Sequence, residues 1–218
     1  GRQALAARAR HPWCEVALVA ASADSAGRRL GDILAARGQG ERRAADLIAA
    51  PRTPAQQRAE REPLPDALLD LVLQDGAAVD VRGCVAVFSM LPSAPARALE
   101  ARCAATTPVF STASAFRMER DTPLLLAGVN PDHAALLDAQ RRARGWRGFV
   151  APGPNCTVVG LAVTLAPLQR LFGVTSVTLT SMQAVSGAGS RAPDVAAAVA
   201  GNLLPWIDPE EEKVEREA

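Results

Sequence analysis

The sequence predicts an α/β protein with a mostly parallel sheet, and two observations carry that prediction. Short, wholly apolar runs alternate with segments of helical composition, the pattern of doubly buried strands and their crossover helices. The clearest such pair sits late in the chain. The apolar run Phe149-Val150-Ala151 is ended by Gly153-Pro154, and residues 158–171 read as a helix entered through Asn155.

The elements before this unit follow the same alternation. Gln3 to Arg10 is an Ala/Leu/Arg segment of high helix propensity that stops at His11-Pro12. Glu15 to Ala21 then reads as a strand buried on both faces. A helix leading into such a strand is the second half of a βαβ unit whose first strand is missing. Gly1 would be the last glycine of its phosphate-binding turn.

The strand runs into Ser22-Ala23-Asp24-Ser25-Ala26-Gly27-Arg28-Arg29. In a dinucleotide fold an acid at this strand end holds the adenine ribose, whereas an arginine accommodates a 2′-phosphate. The hydroxyls of Ser22 and Ser25 and the Arg28 guanidinium suit a phosphate, with Gly27 giving the turn its freedom. An ordinary polar loop is the alternative. If the fold binds a dinucleotide, NADP is favoured over NAD.

Residues 38–65 are rich in Arg, Ala, Glu, Gln and Pro and read as a surface excursion with one helix near Leu47-Ile48. Strand candidates follow at Leu69–Gln74, Cys84–Ser89 and Pro108–Ser111, with a helix over Pro95–Ala105. Ser89-Met90-Leu91-Pro92-Ser93 is a strand-to-helix loop, where an open α/β sheet meets its ligands. Leu124–Ala127 is a further short strand. Asn130-Pro131-Asp132 then caps a helix that runs to Arg144.

Cys156 falls in the first turn of the helix after Asn155. Unpaired N–H groups and the positive end of the helix dipole favour a thiolate there and could stabilise an oxyanion formed by its attack on a carbonyl. A small buried core cysteine is the other reading.

After this helix the pattern changes. Val174 to Val185 is a long, alternating, β-branched run, typical of an antiparallel strand with one covered face. Ser186-Gly187-Ala188-Gly189 follows as a small-residue turn that lets backbone approach a ligand. The expected organisation is a Rossmann-like domain over residues 1–156 and the start of an α+β catalytic and dimerisation domain over residues 157–218. The boundary puts Cys156 at the interface.

A formal net charge of +1 gives no electrostatic case for nucleic acid or a membrane surface. No apolar run approaches the length of about 18 residues that a membrane helix needs, so neither a membrane span nor a signal peptide is expected. The four cysteines, Cys14, Cys84, Cys103 and Cys156, lack paired spacing, so no metal site or disulfide framework is expected and a reducing cytoplasm fits. With Gly1 first and a charged helical segment, Glu210 to Ala218, last, the chain reads as a piece of something longer.

Taken together, these motifs resemble the aspartate-semialdehyde dehydrogenases. The resemblance rests on Asn155-Cys156-Thr157, Ala21-Ser22 to Gly27-Arg28, Phe88-Ser89 to Pro92-Ser93, Gln183 to Gly189 and Glu210-Glu211-Glu212-Lys213. It is closest to the branch found in archaea and fungi, and the malonyl-CoA reductases are similar throughout. The resemblance implies that Cys156 attacks an acyl phosphate to form a thioester, which NADPH reduces to the aldehyde. It implies catalytic roles for Cys156 and Gln183, and substrate binding by Arg117, Asn155, Glu210 and Lys213. Contacts to the cofactor would come from Gly1, Ser22, Ser25, Gly27, Arg28, Ser89, Leu91, Pro92, Ser186, Gly187, Ala188 and Gly189. A small-molecule substrate, no metal, and a homodimer or homotetramer in the full-length form complete the expectation.

Departures from the family's pattern accompany the match. Gly128 stands where the family has Glu, and Ser190-Arg191 stand where it has Tyr-Pro. The family's acid/base histidine and carboxylate-binding arginine fall beyond residue 218, so the fragment itself is expected to be inactive. His11 and His133 are expected to be surface residues. An acyl-CoA reductase on the same fold and a non-catalytic remnant are the alternatives. Glu210 favours a substrate with an amine over a malonyl group.

Overall fold

The computed structural model describes residues 2–9, 11–36, 64–185, 187, 195, 197–199 and 201–218. The chain divides into two units, Gly1–Val79 with Met182–Pro205, and Asp80–Ser181 with Trp206–Ala218.

In the first unit a helix over Arg2–Ala9 precedes β1, Ala20–Ala21, which pairs in parallel with β2, Gln74–Asp75. The expected strand from Glu15 thus shrinks to its last two residues, which are exposed and half-buried rather than enclosed on both faces. The run around β2 is gripped from both sides. Gln74 and Gly76 donate to the Val19 and Ala21 carbonyls, while Gly27 and Leu30 donate to those of Leu73 and Leu71. The expected strand Leu69–Gln74 begins instead as a helical turn, Asp66–Leu69, because the four-residue bonds from Leu69 to Pro65 and from Asp70 to Asp66 close first. Leu30, Leu64, Leu68, Leu73 and Val79 are the buried apolar side chains of the first unit among the described residues. The excursion expected at residues 38–65, with its helix at Leu47-Ile48, lies outside the described residues except for Leu64 and Pro65.

The second unit holds a three-stranded parallel sheet in the order β3 (Val87–Ser89), β4 (Val109–Ser111), β5 (Val150–Pro152). Its register aligns Ser89 with Ser111 and Ser111 with Pro152, so all three strands end on one line. A helix over Ser93–Ala104 links β3 to β4, and a helix over Leu136–Arg144 precedes β5. Ala96, Cys103, Ala104, Val109, Phe116, Val150 and Val158 form the apolar core. Gly148 has no room for a side chain: a Cβ there would meet the Thr107 backbone at 2.3 Å. That close approach lets Gly148 and Arg147 donate to the last carbonyls of the Ser93–Ala104 helix at Ala104 and Ala105, both at 3.0 Å.

Gln140, fully buried, closes the free side of β5. Its side-chain oxygen accepts the Val150 N–H at 2.7 Å and its amide nitrogen donates to the Val150 carbonyl at 3.1 Å. A side-chain amide thus does what a neighbouring strand would do.

Local expectations fail at three places. Leu124–Ala127 forms no strand, because Asn130 takes its backbone: the Asn130 side chain accepts from Leu126 N and donates to Leu124 O. Asn130 does stand at the N-cap position with Pro131 at the start of the helical segment, as expected, but its side chain makes no capping bond, and a 3₁₀ turn over Pro131–Ala135 leads into the helix. The run Val174–Val185 forms no strand either. Among the described residues no strand pairs with it, and a strand without cross-strand partners has little to hold it. Val177, Leu179 and Met182 are exposed accordingly.

Candidate active site

Parallel strands deliver their following loops to one edge, and this edge of the second unit collects Asn155, Cys156 and Arg117. After β5 come Gly153, Pro154 and Asn155, and the helix Cys156–Phe172 begins. Asn155 is its N-cap, and its side-chain oxygen accepts the Thr157 N–H at 2.8 Å. The first regular helical bond is the one from Val159 N to Asn155 O at 3.0 Å. Cys156 is exposed at the start of the helix, so the core-cysteine reading is excluded. Its own N–H has no acceptor within a first helical turn.

Arg117 reaches the same edge from the loop after β4. Its side chain is 9% exposed; Nη2 donates to the Thr112 carbonyl at 2.9 Å and Nη1 to Glu217 at 3.0 and 3.3 Å. Nε is buried without a partner among the described residues. Glu217 also accepts the Asn155 N–H at 2.5 Å. It belongs to the helix Glu210–Glu217, which brings Glu210 and Lys213 to the same place. Glu210 accepts from the Asn155 side-chain nitrogen at 2.8 Å and from Lys213 Nζ at 2.8 Å. Asn155, Arg117, Glu210 and Lys213 are therefore joined by one network beside Cys156.

Glu217 is the residue that the sequence reading missed. A signal was present: Glu210, Lys213 and Glu217 are spaced i, i+3, i+7 and so share one face of a helix.

The β3 loop contributes more structure than free polar groups. Ser89 is buried, and its hydroxyl donates to Glu100 Oε1 at 2.5 Å; the Ser111 hydroxyl meets the same oxygen at 2.6 Å. Glu100 thus ties the ends of β3 and β4 together. Thr112 N donates to the Ser89 carbonyl at 3.0 Å. Leu91 is half-buried and Pro92 exposed, where they can present a surface to a ligand. His133 is exposed and bonds to Asn130, and His11 is half-buried and accepts from Trp13 N. Among the described residues no cluster of metal-ligating side chains occurs.

The loop after β1 lies in the first unit. Ala23–Ser25 form a 3₁₀ turn, closed by bonds from Ser25 and Ala26 to the Ser22 carbonyl at 2.9 and 3.1 Å. Gly27 has φ +78°, which a side chain would strain, and no atom crowds it. Arg29 is paired with Asp70, whereas Arg28 is exposed and has no ion pair among the described residues. Ser22 is exposed and Ser25 half-buried. Two hydroxyls and an unengaged guanidinium on one tight turn fit a phosphate monoester. Gln183 and Gly187 also lie in the first unit, both exposed; a Cβ on Gly187 would stand 3.5 Å from the Gln183 side-chain oxygen. Gly1, Ser186, Ala188 and Gly189, and the departures at Ser190-Arg191, lie outside the described residues.

Two family models match the chain: semialdehyde dehydrogenase, NAD binding domain, over residues 1–137, and semialdehyde dehydrogenase, dimerisation domain, over residues 165–218. The aspartate-semialdehyde dehydrogenase of Archaeoglobus fulgidus is 38% identical, over 100% of this chain and 56% of that protein. The malonyl CoA reductase (NADP) of Metallosphaera sedula is 35% identical, over 60% of this chain and 37% of that protein. Aspartate semialdehyde dehydrogenase from Candida albicans, solved with NADP, superposes with a TM-score of 0.74 at 28% identity, over 99% of this chain and 55% of that one. The chain spans about half the length of the curated relatives it matches over its full length. The fold is that of a Rossmann-like nucleotide-binding domain followed by part of a dimerisation domain.

Proposed function

The chain belongs to the semialdehyde dehydrogenase family, and from that membership we propose that the protein is an NADP-dependent aspartate-semialdehyde dehydrogenase. It would reduce aspartyl 4-phosphate to aspartate 4-semialdehyde, a step of amino-acid biosynthesis from aspartate. One observation carries the reading most: an exposed cysteine at an asparagine-capped helix start, with an arginine tied to the same turn.

The chemistry follows from these groups. Cys156 Sγ attacks C4 of the acyl phosphate; the C–S bond forms, the C–O bond to phosphate breaks, and inorganic phosphate leaves. Arg117, with Lys213 nearby on the network, supplies positive charge for that leaving group. Glu210 supplies negative charge for the substrate amine, and Gln183 orients the substrate. When bound, the nicotinamide cofactor would supply a hydride for the thioester carbon. Charge that develops on the oxygen suits the Cys156 N–H at the helix start. Cleavage of the C–S bond then releases the aldehyde and returns Sγ.

For the cofactor, Ser22, Ser25 and Arg28 would hold the 2′-phosphate over the Gly27 turn. Gly1, Ser89, Leu91, Pro92, Ser186, Gly187, Ala188 and Gly189 would line the remainder. The domain boundary is proposed after Cys156, with residues 1–156 binding the nucleotide. The match to a dimerisation model supports a homodimer or homotetramer. No helix among the described residues is long and apolar enough to cross a membrane.

The malonyl-CoA reductase reading is favoured by the M. sedula relative. Glu210 beside the Cys156 turn weighs against it, because a malonyl group has no cation to pair with. The deciding assay is reduction of NADP by aspartate semialdehyde on the native protein, with phosphate and then CoA as acceptor. Phosphate-dependent turnover that Cys156→Ser abolishes is expected; turnover only with CoA would replace this reading with the other.

A further inference from the structure

Glu217 is the hinge of the network around Cys156. Its side chain is 3% exposed and its carboxylate has two partners: the Arg117 guanidinium at 3.0 and 3.3 Å and the backbone N–H of Asn155 at 2.5 Å. These partners lie 100 and 62 residues away along the chain. One of them is the residue directly before Cys156; the other is the cation proposed to receive phosphate. We propose that Glu217 is a positioning residue, whose shared carboxylate holds Arg117 in register with the nucleophile turn. The inference rests on the dehydrogenase reading for its reaction, though not for its geometry.

The physical argument turns on burial. Arg117 is nearly enclosed, and its Nε already lacks a partner among the described residues. Glu217 is its only carboxylate partner among the described residues. A buried guanidinium deprived of its counter-charge cannot stay where it is without a large desolvation penalty, so it swings toward water. The anion would then lose its cation, and Asn155 would lose the acceptor for its N–H. Glu217 touches no reacting atom in this scheme and acts wholly through Arg117 and Asn155.

The test compares Glu217→Gln and Glu217→Asp with the native protein, using inorganic phosphate as the probe. The KM for phosphate should rise about tenfold or more in Glu217→Gln, the scale of a lost charged hydrogen bond, with the KM for NADP unchanged. Glu217→Asp keeps the charge one methylene back and should recover part of that loss. A second readout needs no turnover: phosphate should slow alkylation of Cys156 in the native protein and lose that protection in Glu217→Gln. Should the Gln variant fail to fold, the Asp variant decides by the same two measurements. A phosphate KM and protection equal to those of the native protein in folded Glu217→Gln, or in Glu217→Asp where the Gln variant does not fold, would overturn the proposal. Tighter phosphate binding would overturn it too, by making Glu217 a competitor. Protection that depends on Glu217 without any NADP reduction would refute the reaction and leave the positioning role standing. Turnover with unaltered phosphate dependence would do the reverse.

Discussion

The side chain of Asn155 is held in one orientation by Glu210: its nitrogen donates to Glu210 at 2.8 Å while its oxygen caps the Thr157 N–H at 2.8 Å. A flipped amide would set oxygen against carboxylate at one end and leave an N–H uncapped at the other. The cap of the nucleophile helix is therefore specified from a segment 55 residues away.

This arrangement makes aspartate a poor substitute. Asn155→Ala should cost about 1 kcal/mol, the usual value of an N-cap. Asp is as good a cap in isolation, yet Asn155→Asp would bring a second carboxylate against Glu210. Chemical denaturation at neutral pH should find Asn155→Asp no more stable than Asn155→Ala. An aspartate variant as stable as the native protein would show that the donation to Glu210 contributes nothing.

Thiol reactivity should single out Cys156. It is exposed at a helix start, whereas Cys14 and Cys84 are half-buried and burial pushes the Cys103 thiol up. Limiting iodoacetamide at neutral pH, followed by peptide mapping, should find Cys156 labelled first. Equal labelling of all four in folded protein would count against it as the nucleophile.

Cofactor preference should follow the β1 loop. With Ser22, Ser25 and Arg28 on a 2′-phosphate, NADP(H) should bind more tightly than NAD(H) by about 1–3 kcal/mol, the range for charged hydrogen bonds. Arg28→Ala should narrow the gap, while Arg29→Ala should act mainly through the pair with Asp70. Calorimetric titration of the native protein that found equal affinities would remove the 2′-phosphate assignment.

Gln140→Leu should destabilise the second unit by about 2–4 kcal/mol. The substitution keeps the volume but leaves the buried Val150 N–H and carbonyl unpaired, each a costly loss. Because β5 leads directly to Asn155, Cys156 should become easier to alkylate in the variant at sub-denaturing urea. A Gln140→Leu protein of native stability would mean that water replaces the amide.

The pair Asp121–Arg144 gives a pH signature. Arg144 donates from Nε and Nη2 to the two oxygens of Asp121 at 2.5 and 2.6 Å, and those hydrogen bonds hold the carboxyl below its usual range. A lowered folded value means stability that is fully present above the unfolded carboxylate value of about 3.9 and is lost as pH falls through the folded one. Asp121→Asn should therefore cost about 1–2 kcal/mol near pH 6. The difference from the native protein should close progressively below about pH 4. A difference independent of pH down to acid unfolding would assign the loss to packing instead.

The sequence by itself determined the features set by neighbouring residues. Asn155 after Gly153-Pro154 specifies a helix start, because its oxygen needs to reach only two residues to the Thr157 N–H. The strand ends at Ser89 and Ser111 and the helix between them were legible for the same reason: apolar runs, breakers and helix formers act over a few residues. Tertiary structure decided whatever needed distant partners. Val174–Val185 has the alternation of a strand and forms none, since a ladder requires a neighbour that no local pattern can supply. Asn130 reads as a cap yet serves the backbone of Leu124 and Leu126, because two nearby backbone groups offered its amide better partners than the helix behind it. The meeting of Glu217 with Arg117 and Asn155 was likewise beyond local reading. Helix periodicity puts Glu210, Lys213 and Glu217 on one face, but only packing decides what that face touches, and a buried carboxylate settles where its charge and hydrogen bonds are answered.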